Sequence, residues 1–283
     1  PYVAAPAVRA DAIHLPLGQG WGITALRGDE IQVHWPGNAD PALGRQIVLG
    51  PGLAALWTRR GHPVLHGSCV ALGSAAIGLL GPSGRGKSTL AAQLHLRGHR
   101  PISDGLTLAV QEGSGLRAHP GPAWFKLDDV ALRALGQHPD DHEEVHPGAN
   151  KRLWEIHPAG AEARPWLRAL YVIEDGAELR VERLTGGAAL HAVLANMYLA
   201  PFLQGAVAPF LFQQAALVAR SVPVSRLWRP RGFAHAEATL ALLEREALLE
   251  REEDSSALDS GHSQGAPAAR DEDAALERPR GER

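Results

Sequence analysis

Gly81-Pro82-Ser83-Gly84-Arg85-Gly86-Lys87-Ser88 has the Walker A spacing G-x-x-x-x-G-K-[ST], the pattern of a loop that holds a chain of phosphates. Such a chain carries several negative charges and needs many donors at close range. The glycines let backbone N–H groups turn inward with no Cβ in the way. The helix that follows presents its positive end to the same oxygens. Lys87 adds a slim, mobile point charge between the β and γ phosphates, where the Arg fork fits less well. Ser88 offers a hydroxyl to Mg²⁺. The candidate nucleotide contacts are Gly81, Ser83, Gly84, Arg85, Gly86, Lys87, Ser88 and Thr89. With 31 Gly, three Lys and 18 Ser plus Thr in 283 residues, a chance match at the four fixed positions is roughly 0.2%. The motif is therefore read as a site.

Other chemistry-bearing residues are less specific. Asp104 ends the strand after the loop helix, 17 residues beyond Lys87. An acid there can hold Mg²⁺ or position an attacking group, or it can cap a turn before Gly105. The carboxyl ends of such strands are where ligands bind, which favours function. His66 lies in an apolar run, where a hydrogen-bonded core role is the ordinary expectation. His99 reads as a surface residue at a helix end, and Cys69 as a small buried hydrophobe. His138, His142, His146 and His157 are scattered through a stretch with no framework for a metal site.

The surrounding pattern supplies elements to position these groups. Ala12–Leu15 and Ile31–Trp35 alternate as short strands. Leu53–Arg60 has helical spacing and stops at Gly61. Val64–Leu72 reads as a strand. Ala75–Leu80 is continuously apolar, as in a strand buried on both faces. A helix over 86–97 and a strand over 101–104 complete a predicted βαβ unit with a right-handed crossover. Gly113–Gly160 is expected to be loops with one helix over 127–135, and its stretch 113–148 to be mobile enough to close over a substrate. Trp166–Glu174 and Glu178–Arg183 are expected to pair around Asp175-Gly176. Helices over 188–199 and 210–220, a strand over 222–228 and a helix over 234–252 follow. The fold class is α/β, with a small β-rich segment over 1–44, a catalytic domain over 45–253 and a charged, disordered tail over 254–283.

Composition narrows the function. A single Cys excludes an internal disulfide framework and multi-cysteine metal sites. A net charge of −3 gives no reason to expect nucleic-acid binding, and no apolar run is long enough for a membrane span. Residues 1–10 lack the pattern of a secretory signal. The absence of Met at position 1 leads us to expect preceding residues. One imbalance stands out. The chain has 25 Arg but only Lys87, Lys126 and Lys151 as lysines. A chain so poor in Lys is expected to keep one where Arg will not serve. Lys126, beside Trp124 and Phe125, has no role that the sequence reveals.

Leu65-His66-Gly67-Ser68, the loop at 81–88, Arg97-Gly98-His99-Arg100 and Ser103-Asp104 occur in the order and spacing of one known core. The chain resembles the HPr kinase/phosphorylase family, and more closely its relatives beside peptide-modification genes, including lasso-peptide kinases. The specific part spans about 40 residues. A looser likeness runs over 45–235, through Val48–Gly61, Lys151-Arg152 and Ala216–Arg226. The resemblance implies a P-loop kinase core of the HPr kinase C-terminal domain type. It implies ATP- and Mg²⁺-dependent phosphoryl transfer to a serine hydroxyl of a protein or peptide. It assigns catalytic roles to Lys87, His66 and Asp104, metal contacts to Ser88 and Asp104, and substrate contacts to Lys151 and Arg152. It also implies homo-oligomers, and with the ATP requirement a cytoplasmic location. One departure stands: the family's second consecutive aspartate is Gly105 here. That departure leaves open a nucleotide-binding regulator with little or no kinase activity, and the arginines spread along the chain leave open a small-molecule P-loop kinase.

Overall fold

A computed structural model describes residues 6–18, 20–38, 40–122, 124–156, 164–202 and 208–246. The expected tail over 254–283 lies outside them. A nine-stranded mixed sheet carries the chain. The loop strand, Ala75–Leu80, lies near its middle, parallel to Trp166–Asp175 on one side and antiparallel to Gly67–Leu72 on the other. Its side chains alternate between two apolar layers, which explains the unbroken hydrophobic run. Ala76 and Leu80 join one cluster, with Leu65, Ala54 and Val193. Ile77 and Leu79 join the other, with Leu90, Phe125 and Leu243. Gly78 between them has no room for a side chain, since a Cβ would lie 2.5 Å from Leu170 Cδ2.

The first layer includes Leu53–Arg59, Gly186–Ala195 and Ala208–Ser221. Leu53–Arg59 follows the helix Pro41–Ile47 through a π-helical turn, Val48–Gly52. A four-stranded antiparallel sheet, from Ala7–Val8 to Glu30–His34, contributes Ile13, Leu15 and Ile23 to the same cluster. The second layer includes the loop helix Lys87–Leu96 and a helix over 236–246.

Four expectations need correction. The βαβ unit is split. Arg100–Ser103 does not pair with Ala75–Leu80, because Gly67–Leu72 lies between them, antiparallel to both. Trp166–Asp175 and Arg180–Leu184 do not form a hairpin either. Val224–Arg229 inserts between them, parallel to the first and antiparallel to the second. Local spacing cannot reveal an insertion from 40 residues away. The expected strand over 64–72 is two strands. Val64–Leu65 pairs with Thr107–Glu112, Gly67–Leu72 pairs elsewhere, and His66 sits at the break.

The fourth correction concerns residues 113–156. They fold into Gly115–His119 of the main sheet and a three-stranded sheet of Trp124–Leu127, Glu143–Glu144 and Arg152–Glu155. Its expected helix runs over Asp129–Ala134, capped by the Asp128 carboxylate on Ala131 N–H at 2.8 Å. Phe125 and Leu132 are fully buried, so this segment is anchored and is not a free lid. Phe125→Ala should cost about 3–5 kcal/mol in urea unfolding; a loosely held loop would lose almost nothing.

Candidate functional site

The glycine-rich loop over 81–86 leaves the sheet at Leu80 and enters the helix at Lys87. Two glycines make that path possible. Gly81 has φ +129° and lies so near the next strand that a Cβ would sit 3.0 Å from the Ile173 carbonyl. Gly86 has φ +83°, and a Cβ there would collide with Arg229 at 2.4 Å. Asn196, just beyond the helix Gly186–Ala195, fixes the loop's start. Its side-chain carbonyl accepts from Gly81 N–H at 2.8 Å, and its amide donates to the Ala192 carbonyl. Its backbone carbonyl also accepts from His66 N–H at 2.8 Å. One residue thus ties the loop to the break in the neighbouring strand.

A cavity of about 210 Å³ opens beside the loop. Ser83, Gly84, Gly86, Lys87, Ser88 and Thr89 form one wall, and His66, Asp104, Lys126 and Lys151 line it as well. Lys87 is buried, and its ammonium donates to the Gly81 and Pro82 carbonyls at 2.7 and 3.0 Å. Burial lowers it to about 8; Asp104 opposes this, and Lys151 adds to it. Asp104 is also buried. One of its oxygens accepts from the Ser68 hydroxyl at 2.6 Å and the other from Lys126 N–H at 2.9 Å. Together the two donors fix the plane of the carboxylate. Burial, and next the Lys87 charge, lower His66 to about 4, against the pull of Asp104. His66 is therefore neutral near pH 7, a hydrogen-bonding group. Its ring packs on Tyr198 with centroids 5.5 Å apart.

Some expected site residues lie elsewhere. Gly81 contributes through its backbone, to Lys87 and Asn196. The Arg85 guanidinium turns away from the cavity to pair with Asp175, which also accepts from Arg231 Nε at 2.7 Å. Arg152 is absent from the cavity lining, and its guanidinium is committed to Asp129 at 2.9 Å and the His142 carbonyl at 3.1 Å. Cys69 is fully buried, and burial pushes its thiol up to about 12. Sequence reasoning missed Asn196, Tyr198, Ser68 and Lys126 as parts of the site. The rarity of Lys is the one signal that could have found Lys126. Nothing in the local pattern marks Asn196, which reaches Gly81 across 115 positions.

Gly105 has φ +78°, and an added Cβ would meet nothing within 4 Å. An aspartate there has space but must adopt a left-handed backbone, at a cost of about 1–2 kcal/mol.

No family model matches the sequence, and no curated protein does. Among solved structures, the HPr(Ser) kinase/phosphatase from Coxiella burnetii is 13% identical, with a TM-score of 0.38. The match covers 71% of this chain and 99% of that one. No helix among the described residues is long and apolar enough to cross a membrane.

Two outcomes follow from the geometry. Asn196→Ala leaves Gly81 N–H buried without its partner and should cost about 1–3 kcal/mol in urea unfolding. Titration of Lys87 gives the second. The folded chain holds it at about 8 against 10.5 for an exposed lysine. Between those values the unfolded chain binds more protons, so this residue makes stability rise with pH across that window. Urea midpoints measured from pH 7.5 to 10 should show a smaller rise in Lys87→Met than in the parent.

Proposed function

We propose that this chain is a P-loop kinase core that transfers the γ-phosphoryl group of ATP to a serine hydroxyl of a protein or peptide. The observation that carries the reading is the meeting of the phosphate loop, Lys87, Asp104 and neutral His66 on one cavity. Lys87 holds charge at the loop, and free loop N–H groups cradle the phosphates. Ser88 and Asp104 line the same cavity and suit a magnesium ion, being hard oxygen donors. When bound, that ion supplies charge neutralisation on the phosphates.

The acceptor hydroxyl oxygen bonds to the γ-phosphorus as the bond to the bridging oxygen breaks and ADP leaves. The hydroxyl proton passes to Asp104. Ser68 and Lys126 N–H hold that carboxylate in position and occupy one lone pair on each oxygen. His66, uncharged, orients the transferred group by a hydrogen bond. Most of the acceleration comes from positioning and charge stabilisation. A second reading, a nucleotide-binding regulator without transfer, is favoured by Gly105, which leaves Asp104 to serve both metal and acceptor.

The test is incubation with labelled ATP, Mg²⁺ and serine peptides. Label in a serine, absent in Lys87→Ala and nearly absent in Lys87→Arg, supports the kinase. Tight ATP binding with no transfer to any acceptor supports the regulator. Asp104→Asn should lower kcat by about 10²–10⁴-fold while ATP affinity stays within about threefold. Equal loss of both would make Asp104 a binding group only.

A further inference from the structure

All three lysines of the chain, Lys87, Lys126 and Lys151, line the same cavity beside the phosphate loop. Only Lys87 belongs to the loop. Lys126 lies on Trp124–Leu127, which pairs with Arg152–Glu155 so that Leu127 faces Arg152. One step further along that register, Lys151 comes opposite Asp128. The two lysines thus sit at adjoining ends of one small sheet, on an element separate from the loop.

Among the described residues, neither the Lys126 nor the Lys151 ammonium has a hydrogen bond or ion pair. The two acids lining the cavity are otherwise engaged. Asp104 accepts from Ser68 and from the Lys126 backbone, and Asp128 caps its helix. His66 is neutral and cannot add to the cation excess, but neither can it reduce it. An anion brought to this wall would meet two ammonium groups that no carboxylate pairs with among the described residues. The arginines differ in this respect. Those at the edge of the site, Arg85, Arg152 and Arg231, are already paired with Asp175 or Asp129.

We propose that Lys126 and Lys151 form a second anion subsite, distinct from the phosphate loop, that binds an anionic group carried by the phosphoryl acceptor. The group is a phosphate or a carboxylate, both of which suit two point-charge ammonium donors. The inference rests on the phosphoryl-transfer reading above. The Lys126 backbone N–H is bonded to Asp104 at 2.9 Å, so the subsite adjoins the group that receives the hydroxyl proton. Such an acceptor would carry its anionic group close to its hydroxyl.

The test uses orthophosphate and malonate as probes, titrated by calorimetry into two forms of the full chain. In the first, a non-hydrolysable ATP analogue with Mg²⁺ fills the loop. The second is Lys87→Ala without nucleotide, which reads the subsite even if the nucleotide reading fails. In both forms at least one probe should bind, and the stronger probe identifies phosphate or carboxylate. Adding Lys126→Met and Lys151→Met should weaken that binding at least about tenfold. Lys151→Met alone should weaken it in the same direction, and Lys151→Arg should restore most of it. Unchanged affinity in the Met variants overturns the subsite, as does the absence of binding by either probe. Binding that persists with ADP but is lost with the ATP analogue also overturns it, because the pair would then hold the transferred phosphoryl group. Failure of the analogue to bind, with probe binding intact in Lys87→Ala, counts against the nucleotide reading and leaves the subsite supported.

Discussion

A buried ammonium facing two more across a small cavity, with few acids to balance them, is the constraint on which this structure depends. Gathering cations away from water is unfavourable, and here it lowers Lys87 and Lys126 below the ordinary lysine range. The fold tolerates it by holding the surroundings rigid. Lys87 rests on two loop carbonyls, and Asp104 is held by a hydroxyl and a backbone N–H. Those are the groups that a polyphosphate would reorganise.

Rigidity of this kind needs a framework on every side of the loop. The loop strand is clamped between two apolar layers, so its end cannot move. Asn196 ties the first loop residue to a helix end and to the His66 backbone. His66 occupies the point where one strand stops pairing with Thr107–Glu112 and the next begins pairing with Ala75–Leu80. The main sheet curls to bring those two pieces of chain together. That curl turns a histidine in an apolar run into a cavity residue.

The division of labour between the two basic residue types is also physical. Arginines around the site make planar, paired contacts with carboxylates and serve as braces, as with Arg85 and Arg231 on Asp175 or Arg152 on Asp129. All three lysines line the cavity, where a compact charge fits. The glycine-rich loop therefore has a cationic wall on one side and, on the other, a braced arginine cluster behind Gly86.

The amino-acid sequence by itself determined the loop, its strand and its helix, because these depend on glycine spacing, apolar runs and one short pattern. It also placed Asp104 at a strand end and Cys69 in the core. The tertiary structure alone decided which distant residues complete the cavity. Phe125 and Leu132 anchor a segment whose Pro, His and acids read as loop, since a few buried side chains suffice to fix short strands. Val224–Arg229 enters between two strands that look like a hairpin, because pairing in a sheet is set by packing over long separations. Lys126, silent in its local context, gains a partner in Lys151 only through the register of a three-stranded sheet. Spacing along the chain encodes local geometry. The meeting of three lysines depends on contacts between segments that the chain separates by dozens of residues.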